Sequence, residues 1–573
     1  MAAQTADLTV SAVENVARRL PATVSLMSKS LGVVTVIAAA LIIGQGARLT
    51  LDAAGGIDVL TYHNDVARTG QNLNETILTP ANVSVATFGR VGFFSVDGRV
   101  DAQPLFLSSV LISGQGTHNV LYVATEHDSV YAFDGDTGAV LWRVSLLAPG
   151  ETPSDNRGCS QVTPEMGITS TPVIDRTRGP NGAIYVIAMS KDGSGRYFQR
   201  LHALDVTTGA ELFGGAKTIQ ASFPGTGAGS VGGMVTFDPK QYKERAALLL
   251  HNGSIVTSWA SHCDIDPYTG WIMAHDASTL AQTGVLNITP NGSEGAFWNA
   301  GGGPAADAAG NFYLLAGNGT FETTLDASGF PNRRDFGNAF LKVSAGAALT
   351  VADYFATFDT IQQSSVDADL GSGGVVVLPD LIDGSGRVRH LAVGGGKDKH
   401  IYVADRDSMG KWNATTNQIY QDLVGALSGG MYSTPGYFSN TVYIGAVGDA
   451  IKAFSVVNAR LSSIAVSRTT GVFGYPGATP SISANGATNA ILWAVENTNP
   501  AVLHALDARD LSREFFNSKQ APASRDAFGA GNKFITPTIV NGHVYVGTTN
   551  GVAVFGLLGL PAPSAPRKLR VVR

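Results

Sequence analysis

Short runs of apolar, β-branched and aromatic residues recur along most of the chain, and turns rich in Gly and Asp separate them. The clearest unit covers residues 120–146 (VLYVATEHDSVYAFDGDTGAVLWRVSL) and contains three such runs. Its YAFDGDTG turn provides Asp134 and Asp136, whose side chains can fold back on the backbone, and Gly138, which accepts a positive φ. Because no amphipathic helix of convincing length follows residue 60, the pattern predicts an all-β fold of short antiparallel strands.

A strand opening, often marked by Pro, precedes each unit. Pro cannot donate a hydrogen bond to a ladder, so it fits the edge strand that lines the central channel of a propeller. Eight openings occur: AQPLFL (102–107), TSTPVI (169–174), GGMVTFD (232–238), GGGPAAD (301–307), GSGGVVVLPD (371–380), STPGYF (433–438), ATPSIS (478–483) and ITPTIV (535–540). Their spacing exceeds the roughly 40–45 residues of a minimal blade, which leaves a surplus for loops. The sequence therefore predicts an eight-bladed β-propeller with four-stranded antiparallel blades.

The last unit ends one strand short of a complete blade. Residues 88–96 (FGRVGFFSV) form an isolated strand before the first unit. If this strand completes the last blade, the ring closes and no exposed sheet edge remains there. We therefore expect a propeller over residues 88–557, closed by an N-terminal strand and preceded by an extended segment over residues 48–87.

The composition agrees with a folded, Gly-rich repeat protein. Gly accounts for 68 of the 573 residues, hydrophobic residues for 44% and charged residues for 15%. This balance argues against disorder and against long helical bundles. The formal net charge of -6 leaves no basic excess to neutralise a phosphate backbone, so we do not expect nucleic acid as a partner.

The start of the chain is typical of a secretory signal. Residues 31–43 (LGVVTVIAAALII) carry no charge but are shorter than the about 20 residues that a membrane-spanning helix needs. We predict a signal peptide over residues 1–47, with Met27 as the true start if residues 1–26 come from an upstream start codon. The alternative is a short anchor that stays in the membrane. With cleavage the chain has no membrane span and is secreted or periplasmic.

The two cysteines, Cys159 and Cys263, fit that compartment. In an oxidising space an even pair is a disulfide candidate, although two isolated thiols are the alternative. The sequence contains no CxxC, CxxCH or Cys/His zinc spacing, so we predict no metal site.

The C-terminal residues 558–573 follow the last predicted strand. Their Pro-rich start reads as a stiff extended linker. PSAPRKLRVV resembles the opening strand of a fibronectin type III module, which suggests a truncated gene product; the alternative is a plain basic tail.

At residues 122–142 (YVATEHDSVYAFDGDTGAVLW) the sequence resembles the repeat of the pyrroloquinoline quinone (PQQ)-like propeller superfamily. The Asp-x-x-Thr-Gly turn followed by an aliphatic-Leu-Trp strand is that repeat's mark. Other stretches resemble large secreted bacterial members of unknown function: TYHNDVARTGQN, PEMGITSTPVID, WASHCDIDPYTGW, LGSGGVVVLPD and GGGKDKHIYVADRDSMG. The resemblance implies the propeller fold, but the same repeat serves enzymes and non-enzymes.

Dehydrogenases of this superfamily hold PQQ on a Trp at the channel, with a Ca²⁺ bound by Glu, Asn and Asp and with an Asp as base. Several also carry a bridge between adjacent cysteines. This chain has no adjacent Cys pair, and its residues do not match the Glu, Asn and Asp set one by one. We therefore assign no catalytic residue and no cofactor, and keep PQQ and Ca²⁺ for the alternative function alone.

Position in the repeat indicates a different kind of site. Residues that lead into the innermost strands gather round the channel mouth, where an aromatic ring with acidic and amide neighbours could hold a flat polar ligand or a cation. The alternative is that they satisfy backbone groups of the loops. These candidates are Gln103, Glu165, Trp298, Asn299, Asp369, Tyr432 and Lys533.

The leading hypothesis is a secreted, monomeric propeller that acts as a non-catalytic binding or interaction scaffold. Its partner would be a protein or a small polar ligand at the channel mouth. The alternative is a PQQ- and Ca²⁺-dependent dehydrogenase that oxidises an alcohol or a sugar.

Overall fold

The computed structural model describes residues 56–346 and 348–559. The predicted signal peptide, including Met27, and the linker beyond residue 559 lie outside the described residues. Among the residues described, no helix is long and apolar enough to cross a membrane.

Eight antiparallel sheets form the blades of the predicted propeller, and each blade is built around four strands. Blades 1 and 2 contain Leu105–Ile112, Gly116–Ala124, Ser129–Asp134 and Val140–Ser145, then Val173–Asp175, Ala183–Asp192, Tyr197–Asp205 and Lys217–Thr218. Blades 3 and 4 contain Tyr242–Glu244 with Leu249–His251, Ser254–Ser261, Trp271–Asp276 and Gln282–Asn287, then Ala305–Ala306, Asn311–Leu315, Phe340–Ala345 and Leu349–Phe355.

The other four blades follow the same pattern. Blades 5 and 6 contain Val375–Val377, Leu391–Gly394, Ile401–Asp405 and Gln421–Leu423, then Gly436–Phe438, Thr441–Gly445, Ile451–Val457 and the pieces Arg460–Leu461 and Ser467–Arg468. Blades 7 and 8 contain Ser481–Asn485, Thr488–Glu496, Val502–Asp507 and Asp510–Asn517, then Thr538–Val540, His543–Gly547, Gly551–Leu557 and Phe88–Ser95.

The predicted ring closure is confirmed. Phe88–Ser95 pairs antiparallel with Gly551–Leu557 and supplies the missing fourth strand of blade 8. Phe88 is fully buried and packs edge-on against Phe516, so the closing strand also contributes to the core between blades 7 and 8.

The repeat turn links neighbouring blades as well as neighbouring strands. Asp134 Oδ1 accepts hydrogen bonds from the backbone N–H of Thr137 at 2.7 Å and from its hydroxyl at 2.8 Å. Trp142 on the next strand donates its indole N–H to the carbonyl of Val206 in blade 2 at 3.1 Å. Its ring lies against Gly209, where a Cβ would approach to 2.7 Å, so this turn of blade 2 needs Gly.

One predicted opening is wrong. Met234–Thr236, from GGMVTFD (232–238), pairs with Ser222–Pro224 in a separate two-stranded hairpin. The inner edge of blade 3 is instead formed by Tyr242–Glu244 and Leu249–His251. The hydrophobic run does form a strand, but a Gly-rich loop folds it back on the preceding residues before the blade begins.

The surplus residues form loops, small separate elements and an extension of the blade 2 sheet, in which Glu151–Asp155 pairs with Ala183–Asp192. Additional short strands are Glu151–Asp155, Glu165–Met166, Leu381–Ile382 and Val388–Arg389. Within residues 56–346 and 348–559, the helical pieces are Thr360–Ser365 and the 3-10 turns Asn299–Gly301, Leu370–Ser372 and Pro522–Ser524.

Residues 59–72 run round the central channel and contact every blade; we call this segment the plug. Its carbonyl groups accept backbone hydrogen bonds from inner strands of blades 2, 4, 5, 6 and 7, and Val59 exchanges two such bonds with Phe106 of blade 1. Gln71–Asn72 adds a short parallel strand to blade 7. Side chains reach the other two blades, since Arg68 donates to Leu248 O beside blade 3 and Asn72 donates to Ile539 O of blade 8.

Arg68 is the buried centre of the plug. Its guanidinium donates to Pro304 O, Thr61 Oγ1, Tyr62 O and Leu248 O at 2.7–3.0 Å, and the residue has no exposed surface. Burial lowers the pKa of Arg68 to about 10. Hydrogen bonds to neutral oxygens of the plug and beside blades 3 and 4, together with the nearby Asp65 carboxylate, oppose this effect and stabilise the charge.

Replacing Arg68 by Met should lower the stability of the whole propeller. Each buried acceptor left without a donor costs about 1–3 kcal/mol, and Arg68→Met leaves three carbonyl oxygens in that state. We expect a clearly lower urea midpoint by tryptophan fluorescence. The matched control is Arg196→Met, whose exposed ion pair with Asp192 contributes little. Equal midpoints for the two variants would contradict the role of the plug.

Candidate functional site

The mouth of the channel holds a polar cavity of about 180 Å³. It lies at the end where each chain segment enters its inner strand, opposite the end that the plug fills. Larger cavities occur elsewhere, of about 660 Å³ near blades 4 and 5 and about 610 Å³ near blades 3 and 4. Buried charged side chains line the mouth cavity, among them Arg245 and Asp369.

Arg245 forms the basic part of the cavity lining. It directly follows the inner strand Tyr242–Glu244 and is 6% exposed. Its Nη1 donates to Gln161 Oε1 at 2.7 Å, and its guanidinium lies 4.1 Å from the ring centre of Phe534. Burial lowers the pKa of Arg245 to about 10. Within the described residues no carboxylate lies within 4.0 Å of this guanidinium, so its charge is available to the cavity.

Lys243 adds a second buried cation behind Arg245. Its Nζ donates to Gln161 Oε1 at 3.3 Å and lies 3.9 Å from Cys159 Sγ. Burial, together with the neighbouring Arg245, lowers the pKa of Lys243 to about 7. Burial disfavours the charge of both residues, and each positive charge also opposes the other.

Lys397 neutralises the acidic part of the lining. Its Nζ lies 2.5 Å from Asp367 Oδ1 and 2.6 Å from Asp369 Oδ2. Asp369 also accepts a hydrogen bond from Asn318 N at 2.6 Å. Burial raises the pKa of Asp369, and the Lys397 ammonium opposes that rise. An internal ammonium thus occupies the place between two carboxylates.

A second, much smaller cavity of about 20 Å³ adjoins the first and shares Arg245, Gln161 and Phe534 with it. Asp101 and Lys533 also line it. Beside it, Glu126 is 1% exposed, and burial and then the Asp101 carboxylate raise the pKa of Glu126 well above its usual range. This carboxyl group therefore binds its proton more tightly than a carboxyl group in water does.

The predicted disulfide between Cys159 and Cys263 is confirmed. It joins the loop of blade 2 that carries Gln161 to the loop of blade 3 that carries Asp264, and both residues line the mouth cavity. The bond therefore fixes two parts of the cavity lining against each other.

Four of the seven predicted site residues lie at the mouth. Trp298, Asp369 and Tyr432 line the main cavity, and Lys533 lines the adjoining one. Each lies three or more residues before its inner strand, at the depth where the channel opens.

The other three predicted residues lie elsewhere. Gln103 is deeper, because it comes just before Pro104, and its Oε1 accepts a hydrogen bond from His63 N of the plug. Glu165 pairs with His127 Nδ1 at 2.8 Å, away from the cavity. Asn299 is 1% exposed and does not line the cavity.

Sequence reasoning missed several residues of the lining. The sequence does not indicate Arg245, because it predicts the inner edge of blade 3 at residues 232–238 and not at Tyr242–Glu244. Gln161 and Asp264 lie on loops whose positions depend on the disulfide. Lys397 belongs to a Lys-Asp-Lys-His run that is most simply read as a charged turn. The two cysteines were the sequence signal for this part of the site, since residues close to both of them line the same cavity.

No group of three or more His, Cys, Asp or Glu side chains within the described ranges has the arrangement of a metal site. Two carboxylates of the mouth, Asp367 and Asp369, are already paired with Lys397.

No family model matches the chain, and no curated protein matches it. A quinohemoprotein alcohol dehydrogenase from Comamonas testosteroni matches with a TM-score of 0.56 and 13% identity over 93% of this chain and 84% of that one. One from Pseudomonas putida HK5 has a TM-score of 0.54 and 14% identity over 89% and 82%. A europium-containing methanol dehydrogenase has a TM-score of 0.52 and 12% identity over 87% and 98%. The resemblance to PQQ-like propellers is thus confirmed for the fold, and function must be argued from the residues.

Replacing Lys397 by Met should destabilise the protein at neutral pH. The variant leaves the buried Asp369 carboxylate without its cation, which costs about 3 kcal/mol. The loss should shrink as the pH falls, because protonation removes the charge of Asp369 in the folded variant. Urea unfolding at pH 7.5 and pH 4.5 measures both effects.

The control for this prediction is the double variant Lys397→Met/Asp369→Asn, which removes both charges. It should recover part of the loss at pH 7.5. If the loss of unfolding free energy in the double variant equals the sum of the losses in the two single variants, the pairing is contradicted.

Proposed function

We propose that this chain is a secreted or periplasmic, monomeric, non-catalytic binding protein that takes a small polar ligand at the channel mouth. One observation carries the proposal. Arg245 is 6% exposed, lines the mouth cavity, and makes a single side-chain hydrogen bond to the described residues, with a neutral amide. A buried guanidinium with so few partners is costly unless another group satisfies it. A bound ligand would supply that group.

The lining supports binding in two further ways. Trp298, Tyr432, Tyr475 and Phe534 place four aromatic rings round a polar centre. A few polar groups held among aromatic side chains are the usual composition of a small-molecule site. The disulfide supports the compartment, because such bonds persist in oxidising surroundings.

The alternative, a PQQ- and Ca²⁺-dependent dehydrogenase, has the support of the fold, since proteins named as quinohemoprotein and methanol dehydrogenases share it. The mouth residues do not fit that group. Two of the three carboxylates of the lining, Asp367 and Asp369, are neutralised by Lys397, which leaves Asp264 alone to ligate a cation. The cavity of about 180 Å³ is also below the roughly 300–1,000 Å³ of sites for ligands of that size. We therefore assign no catalytic step to PQQ here.

Incubation with PQQ and Ca²⁺ tests the alternative directly. We expect the protein to lose all quinone absorbance on desalting and to reduce no dye with a panel of alcohols and sugars. The reason is that the Lys397 ammonium and the small cavity exclude the cation and the quinone. Retained quinone together with dye reduction would contradict the proposal.

A screen of small polar metabolites tests the binding function. We expect some compounds to raise the melting temperature of the wild type in a thermal-shift assay, and Trp298→Leu to abolish the shift because Trp298 lines the cavity. Trp412→Leu is the matched control, since Trp412 packs on Phe321 and lies outside the mouth lining. Shifts that survive Trp298→Leu would place binding elsewhere and refute the mouth as the site.

A further inference from the structure

The mouth cavity contains an unpaired charge of each sign. On the positive side Arg245 is 6% exposed, and its one side-chain hydrogen bond goes to Gln161 at 2.7 Å. Lys533 lines the adjoining cavity with Arg245, and neither residue has an ion-pair partner within the described part of the chain. This side of the mouth would bind a carboxylate.

On the negative side Asp264 lines the same cavity as Arg245. Asp264 Oδ1 accepts a hydrogen bond from Tyr268 Oη at 2.7 Å, and no cation lies within 4.0 Å of its carboxylate among the residues described. The other two carboxylates of the lining are neutralised by Lys397. Asp264 is therefore the carboxylate left to receive a positive group from a ligand.

The position of Asp264 is fixed by its loop. Cys263 and Asp264 have φ angles of 49° and 55°, in the left-handed region that non-Gly residues seldom adopt. The disulfide from Cys263 to Cys159 holds that loop against the segment that carries Gln161. Gln161 in turn accepts the hydrogen bond from Arg245. The loop of Asp264 is thus linked to Arg245 through the disulfide and the hydrogen bond to Gln161.

We propose that the mouth binds a small zwitterion of the α-amino acid class, with its carboxylate on Arg245 and its ammonium on Asp264. This inference rests on the proposed binding function and names the ligand class. A simple anion would make no use of the exposed Asp264 carboxylate, and a simple cation would leave the buried Arg245 without an anion. The cavity of about 180 Å³ suits a molecule of this size, and its aromatic rings can pack on the ligand side chain.

The twenty L-α-amino acids are the probes. We expect at least one to raise the melting temperature of the wild type and to bind in isothermal titration calorimetry. Its primary amide lacks the carboxylate and its des-amino acid lacks the ammonium, so each should bind at least tenfold more weakly.

Two variants separate the two charges. Arg245→Gln should remove the preference for the amino acid over its amide, and Asp264→Asn should remove the preference over the des-amino acid. Because Asp264 lies on an exposed loop, its variant remains informative even if Arg245→Gln folds poorly. Asp266→Asn is the matched control, since Asp266 lies on the same loop but outside the cavity lining, and it should keep the wild-type preference.

The outcomes distinguish this inference from the proposed function. An amide or a des-amino acid that binds as tightly as the amino acid overturns the zwitterion. If no amino acid binds but the metabolite screen gives a ligand that depends on Trp298, the zwitterion is wrong and the binding function stands. If neither experiment gives a ligand, both are wrong.

Discussion

The structure depends on how the inner edges of eight sheets are satisfied. The innermost strand of a blade has no neighbour on its channel side, so its N–H groups need acceptors from elsewhere. The plug supplies them, because carbonyls of Leu60, Val66, Ala67, Thr69 and Gly70 accept from five different blades. Pairing of Phe88–Ser95 with the last blade closes the ring, and the plug connects the inner strands of the blades at the centre of that ring.

The plug also makes the mouth a site. Because the channel is filled by Arg68, Tyr62 and His63, which are all buried, the opposite end is a blind cavity rather than a pore. Charges that face a blind cavity are shielded from water on several sides, which strengthens their interactions with a ligand. The two cations of the mouth differ in their partners. Lys397 pairs with two carboxylates, whereas Arg245 has no carboxylate within 4.0 Å among the described residues.

The fold was readable from the sequence wherever a local rule applied. Seven of the eight predicted openings, five of them identified by their Pro, lie at inner edges, and the isolated strand at residues 88–96 predicted the closure. The plug was not predicted beyond an extended segment, because TYHNDVARTGQN has neither a helical nor an alternating pattern and its hydrogen bonds go to residues hundreds of positions away. At the site, Trp298, Asp369 and Tyr432 followed from their position before an inner strand. Arg245 did not, since it depends on the blade 3 edge that the Gly-rich hairpin displaced.

Hydrogen exchange at the inner-strand amides is the most direct test of this account. The N–H groups of Ala306, Val377, Tyr437 and Ile482 donate to plug carbonyls at 2.6–2.9 Å. Exchange followed by mass spectrometry at single-residue resolution should show these four amides as protected as those in the middle strands of the same blades. Exchange as fast as that of exposed loop amides would mean that the plug does not fill the channel. It would also contradict the claim that the mouth is a closed cavity.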